Sequence, residues 1–231
     1  MIKSAISAFL ILQVNEGFSQ GFVNLGFESA VITPIPNDGY QRVQFAAALP
    51  GWTGRSGSNI ESAALYNNLY LDSTGIGIHG TNSPYAPVIS GKYSVYLQAR
   101  WALNQPPLLA EASLSQTGLV PLDSQSLRFR GGGNNFYVSL NGQTLSLMPM
   151  GIDTTGFTFY GADVTMFSGN MCELRFTAAP TGQTYFDRAS LYFDSISFSS
   201  QAVPEPTTMV MALIGAFLLN LSCGKKGYLK D

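Results

Sequence analysis

Apolar and polar residues alternate with a period of two along most of this chain, and turn residues interrupt the alternation at short intervals. Ser126-Leu127-Arg128-Phe129-Arg130 alternates as a half-buried strand does, and Gly131-Gly132-Gly133-Asn134-Asn135 then reads as turn punctuation. Phe136, Val138 and Leu140 line one face of the next strand, with Asn141-Gly142 directly after it. Asn-Gly supplies the two positive-φ residues of a type I′ turn, so residues 136–147 are expected to form a hairpin returning through Leu145 and Leu147. Further strands are expected over 91–99, 112–116, 173–178 and 191–199. No long stretch before residue 207 carries the i, i+3, i+4 pattern of a helix, so the body of the chain predicts an all-β sandwich. At Thr207 the pattern changes to an apolar run that lasts to Cys223.

A helix over 207–223 rises about 1.5 Å per residue, roughly 25 Å in all, at the short end of what crosses the hydrocarbon core of a bilayer, so it is expected to span only just. Val203-Pro204-Glu205-Pro206 stands directly before it and Lys225-Lys226 directly after. The prolines set a hard helix start, and the lysines are expected to stay on the cytoplasmic side, which places everything before residue 203 outside the cytoplasm. This order of Pro-Glu-Pro, short apolar span and basic tail resembles the PEP-CTERM sorting signal of Gram-negative bacteria. That resemblance implies an exosortase as processing partner and export to the cell surface or extracellular matrix, with Val203, Pro204, Glu205, Pro206, Lys225 and Lys226 as the sorting residues. The tail departs from the arginine-rich cluster usual in that family. At the other end, Met1-Ile2-Lys3 and the apolar run from Ser4 to Leu12 fit a short signal peptide over 1–19, with Gly17 and Ser19 as the small-residue pair for cleavage. The organisation expected is therefore signal peptide 1–19, β-sandwich ectodomain 20–200, sorting linker 201–206, transmembrane helix 207–223 and cytoplasmic tail 224–231.

Composition narrows the ectodomain's role. Its length of about 180 residues suits one sandwich better than two domains. Charged residues make up 11% of the chain, against about 25% in a typical soluble domain. The solvated surface must then be built from Ser, Thr, Asn, Gln and Gly, as in extracellular binding modules. With a net charge of −2 and no Lys or Arg cluster before the tail, the phosphate-neutralising footprint of a nucleic-acid binder is missing. Cys223 falls in the apolar span, so Cys172 has no partner for a disulfide in the ectodomain.

Four landmarks occur in order: Asn24-Leu25-Gly26-Phe27-Glu28, Pro50-Gly51-Trp52, Gly91-Lys92-Tyr93-Ser94-Val95-Tyr96-Leu97, and Leu191-Tyr192-Phe193-Asp194-Ser195-Ile196-Ser197-Phe198. Together they resemble the galactose-binding-like jelly rolls, which include many carbohydrate-binding modules. The family would imply two antiparallel sheets and a structural calcium ion, with Glu28 and Asp194 as its acidic ligands. From the residues alone, strict alternation puts Asp194 on the face of Tyr192, Ile196 and Phe198. A carboxylate there needs a cation, a set of hydrogen bonds or a bulge that turns it away, and all three stay open.

Sugars stack on exposed aromatics, so Trp101, in loop-like surroundings near Pro106-Pro107, is the candidate platform, with Tyr85 and Tyr66 as neighbours. Trp52 is expected in the core. Gly75-Ile76-Gly77-Ile78-His79-Gly80 matches GxGxxG in letters only: Pro84 and Pro87 forbid the following helix, so it reads as a loop or strand end. His79 is the sole histidine and is expected in a loop or at the surface. No catalytic set stands out, so the expectation is a non-enzymatic, carbohydrate-binding or adhesive surface protein, with the calcium ion that the resemblance implies and without nucleic acid. The alternatives are a secreted carbohydrate-active enzyme, for which no acid pair can be nominated, and a purely structural matrix protein.

Overall fold

The computed structural model describes residues 21–69, 73–101, 109–182 and 187–204. The expected signal peptide, Glu205, Pro206, the 207–223 span, Lys225 and Lys226 lie outside the described residues. No helix among those described is long and apolar enough to cross a membrane.

In chain order the strands are β1 (Arg42–Gln44), β2 (Thr53–Ser56), β3 (Asn59–Ile60), β4 (Ala63–Tyr66), β5 (Gly75–Gly80), β6 (Tyr93–Trp101), β7 (Leu109–Ala110) and β8 (Ala112–Leu119). They continue as β9 (Ser126–Asn134), β10 (Phe136–Leu140), β11 (Gln143–Thr144), β12 (Met148–Ile152), β13 (Thr158–Asp163), β14 (Met171–Ala178) and β15 (Ala189–Ser199). One sheet runs β1-β4-β5-β6-β15-β9-β13-β12, with β7 added on β6; the other runs β11-β10-β14-β8-β2-β3. Pairing is antiparallel except between β4 and β5. The all-β sandwich is as expected, with two small departures: a single helical turn, α1 (Phe45–Ala48), and a 3₁₀ turn at Thr165–Phe167.

Alternation explains the core. Ile76 and Ile78 of β5, Val95 and Leu97 of β6, Leu127 and Phe129 of β9 and Leu191 and Phe193 of β15 are buried against Leu114, Val138, Leu174 and Phe176 of the second sheet. Phe176 is the meeting point: its ring stacks on Phe193 at 4.4 Å and meets Phe129 at 5.2 Å and Trp52 at 6.5 Å. Trp52 therefore serves the core, as expected, and its indole N–H donates to the Asn24 carbonyl at 3.2 Å, which satisfies its one polar atom. Cys172 is buried and free.

The Asn141-Gly142 turn forms as read, with φ of 47° and 78°, and Leu145 returns by donating its N–H to the Val138 carbonyl. Two local expectations are corrected. Residues 131–134 do not turn: β9 continues through the glycines, and the reversal is made by Asn135, whose φ is 51°. The reason is crowding, since a Cβ on Gly131 would lie 2.8 Å from the Tyr192 carbonyl of β15, so glycine keeps the strand extended beside its neighbour. His79 is not at the surface or in a loop: it sits in β5, whose six residues are all buried.

Candidate functional site

Asp194 ends the regular part of β15. The register with β9 slips between Asp194 and Ser197, and Ser195 takes a φ of 55°. This bulge resolves the conflict in alternation: Asp194 stays on the outer face with Tyr192, while Ile196 swings into the core. The carboxylate is nonetheless buried, and it collects donors from the 89–94 segment. Oδ2 accepts from the Ser90 N–H at 3.1 Å and the Ser94 hydroxyl at 3.0 Å, and Oδ1 accepts from the Ser195 N–H. Glu28 reaches the same segment. Its carboxylate accepts from the Lys92 N–H at 2.8 and 3.0 Å and from the Tyr93 N–H at 3.3 Å. Gly91 permits this approach: its φ is 62°, and a Cβ there would lie 2.2 Å from Glu28 Oε1.

The fold thus brings together the two acids singled out from sequence. Burial pushes the Asp194 carboxyl up to about 7; the Ser195, Ser94 and Ser90 donors pull against that, and the Glu28 charge adds to the rise. Among the described residues neither carboxylate is paired with a cationic side chain. Nearby on the same face, His79 is fully buried between the edges of Tyr96 and Tyr192. Its Nδ1 lies 2.7 Å from the Ser83 hydroxyl, and its Nε2 has no partner. Burial pushes its pKa down to about 4.

Beside this face lies a groove of 490 Å³, lined by Pro34, Ile35, Asp38, Gln41, Arg42, Val43, Tyr66, Asn67 and Pro84. Tyr66 is one of the expected sugar-binding aromatics, and Tyr85, another, follows Pro84 and is exposed. Arg42 is clamped on Asp38 through Nε at 2.8 Å and Nη2 at 2.5 Å, and its guanidinium also lies 5.6 Å from the ring centre of exposed Tyr40. The Arg42 partner holds the Asp38 carboxyl below the ordinary aspartate range. Two lining residues, Gln41 and Asn67, have φ of 59° and 49°, and Asn37, next to the lining Asp38, has a φ of 58°. Trp101 does not share this place. It is the last residue of β6 and not a loop residue, whereas the groove lies at the Gly80 end of β5, which pairs with Tyr93 at the start of β6. Eight residue steps of β6 take the chain from Tyr93 to Trp101, about 26 Å of backbone.

Sequence reasoning missed the groove because its polar members come from a turn and two strand ends that no motif joins. It missed His79 because glycines on either side resemble a loop.

The two buried titrating groups oppose each other. Asp194 has a folded pKa above its ordinary value, so its share of stability is full below about pH 4 and is lost as pH rises to about 7. His79 has a folded pKa below its ordinary value, so its share is full above about pH 6.5 and is lost as pH falls to about 4. Each is worth on the order of 3–4 kcal/mol. In chelator-containing buffer, Asp194→Asn should therefore make stability rise from pH 4 to 7, and His79→Gln should make it fall. Urea midpoints across that range check both slopes; identical profiles in the two variants would contradict these assignments.

No protein-family model matches the chain, and no curated protein matches it. Among solved structures, that of TmCBM61 in complex with β-1,4-galactotriose aligns with a TM-score of 0.41 and 13% identity, over 79% of this chain and 100% of that one. The enzymatically active domain of bacteriophage CBA120 tailspike protein 4 aligns with a TM-score of 0.37 and 15% identity, over 68% of this chain. This chain spans 20% of the tailspike domain's length.

Proposed function

We propose that this is an exported surface or matrix protein whose jelly-roll ectodomain binds neutral saccharide, without catalysis, in the groove between Tyr66 and Tyr85. The observation that carries this reading is the groove's composition. Exposed tyrosine at its rim offers a face for the apolar side of a sugar ring, and the Asp38–Arg42 pair with Gln41 and Asn67 offers fixed polar groups for its hydroxyls. Asp38 is the single carboxylate among the lining residues, and Arg42 holds it ionised. Glycoside hydrolysis ordinarily needs two carboxylates about 5–10 Å apart, one of them protonated, so this groove favours binding over the carbohydrate-active enzyme. The outright structural alternative lacks a reason for a polar groove with strained walls.

Binding is checked by affinity electrophoresis against a panel of neutral polysaccharides, galactans included. Tyr66→Ala and Tyr85→Ala should each weaken retention roughly tenfold, the worth of one lost aromatic–sugar contact. Retention by no polysaccharide, or retention untouched by both changes, would overturn the reading.

A structural calcium ion belongs to the same proposal. Two carboxylates that face one segment without a cationic side chain, one of them buried, carry charge that a divalent ion would offset, and carbonyls and water would complete its shell. Calcium should raise the Tm of the parent protein and leave that of Glu28→Ala unchanged. A parent indifferent to calcium removes the ion.

For the anchor, support comes from the chain's exit. Arg128 Nη2 holds the Gln201 and Ala202 carbonyls at 3.1 and 3.4 Å, and Pro204 is exposed as the chain leaves the sandwich. A fixed exit point just before the Pro-Glu-Pro motif suits processing by an exosortase, and the apolar run over 207–223 would anchor the chain in the membrane. Cell fractionation should place the full-length product in the inner membrane; a cytosolic product would end this part of the proposal.

A further inference from the structure

The segment that follows β5 makes a chain of contacts with the outer face of the large sheet, each through a different buried or half-buried group. Ser83 takes the His79 ring at 2.7 Å, and its hydroxyl also accepts the Tyr85 N–H at 3.3 Å. Pro87 accepts the Tyr192 hydroxyl at 2.8 Å. Ile89 donates its N–H to Ser94 Oγ at 2.9 Å, Ser90 donates to Asp194, and Lys92 and Tyr93 donate to Glu28. Pro84, which lines the groove, and exposed Tyr85 next to it are in the first third of this run, and the acid pair is at its far end.

We propose that residues 83–93 act as one strap that fixes the Pro84–Tyr85 wall, with His79 beneath it and Glu28 at its far end as positioning residues for the saccharide groove. This rests on the groove reading above, but neither residue lines the groove. His79 is well suited to the task. A buried imidazole with one nitrogen unpartnered is costly to keep unless the bond at the other nitrogen is needed, and that bond goes to the turn that sets Tyr85. Glu28 acts from a distance: three bonds from its carboxylate fix the backbone of Lys92 and Tyr93. Releasing either end leaves the adjoining part of the segment free to sample other conformations, and the groove loses its preformed wall.

The test has two arms. In the first, hydrogen exchange is followed in the full chain without ligand: His79→Ala should speed exchange of the amides over 83–89 about tenfold and leave β8 and β14 unchanged, while His79→Asn, which keeps a polar atom near the Nδ1 position, restores protection. Unchanged exchange over 83–89 would overturn the strap. In the second, saccharide affinity is measured in a double-mutant cycle: His79→Ala and Glu28→Ala should each weaken binding about tenfold in the parent and have no further effect in Tyr85→Ala. Additive losses would mean that these residues do not act through Tyr85, and would also overturn the proposal. If His79→Ala does not fold, Ser83→Ala cuts the same bond and takes its place in both arms. Should no saccharide bind at all, the groove reading fails, and the exchange arm still decides whether the strap exists.

Discussion

A carboxylate buried in a β-sandwich has to be met by donors, and Asp194 makes that requirement shape one whole side of this protein. Two of its donors, Ser90 N–H and Ser94 Oγ, come from the segment leading into β6, so that segment must lie across the sheet's outer face to deliver them. Once it lies there, the face beneath it is dry. His79, Ser94 and Tyr192 are buried on a surface that a two-layer sandwich would otherwise leave wet. Each then needs its own partner, and the covering segment supplies several: Ser83 for His79, the Pro87 carbonyl for Tyr192 and the Ile89 amide for Ser94. One buried charge thus accounts for the course of the strap, the buried polar groups beneath it and the position of the groove's wall.

The parts of the fold that were legible in the sequence are those where one residue type answers to one local constraint. Alternation in 136–140 and the Asn-Gly after it fixed a hairpin because only that turn matches the twist of the strands. Trp52 was expected in the core and is buried there, and the conflict around Asp194 announced a bulge or a special partner before either was visible. What was not legible depends on neighbours distant in sequence. Gly131 to Gly133 look like a turn, yet they are extended because β15 passes too close for a side chain. His79 looks like a loop residue, since nothing in Gly-Ile-Gly-Ile-His-Gly says that a later segment will cover it. Trp101 looked like a platform beside Tyr66 and Tyr85, but β6 carries it to the opposite end of the sheet from them. The groove itself draws on the 34–43 segment, the end of β4 and the strap, and no local pattern ties those three together.

Backbone strain gives an independent view of which places matter. Eight described residues other than glycine have φ in the left-handed region. Asn135 and Asn141 make hairpin turns, where asparagine is at ease and needs no further reason. The other six fall in two groups. Asn24, Phe27 and Ser195 surround the acid pair, and Asn37, Gln41 and Asn67 stand in and beside the groove. Phe27, Gln41 and Ser195 are the telling members, because their side chains gain nothing locally from that conformation, and each costs on the order of 1–3 kcal/mol that the surrounding contacts must offset. For Phe27 the offset is visible: its fully buried ring meets Trp52 at 5.7 Å and Phe193 at 5.5 Å, so the strain places an aromatic in the core and Glu28, the next residue, against the strap. For Gln41, the carbonyl accepts the Tyr66 N–H at 3.1 Å, which ties the groove's floor to its aromatic wall. The two strained regions are joined by the strap, one at each end. A fold that needed only to pack its core would have no cause to concentrate strain at both ends of one covering segment. A fold that must hold a recognition surface in a fixed shape does.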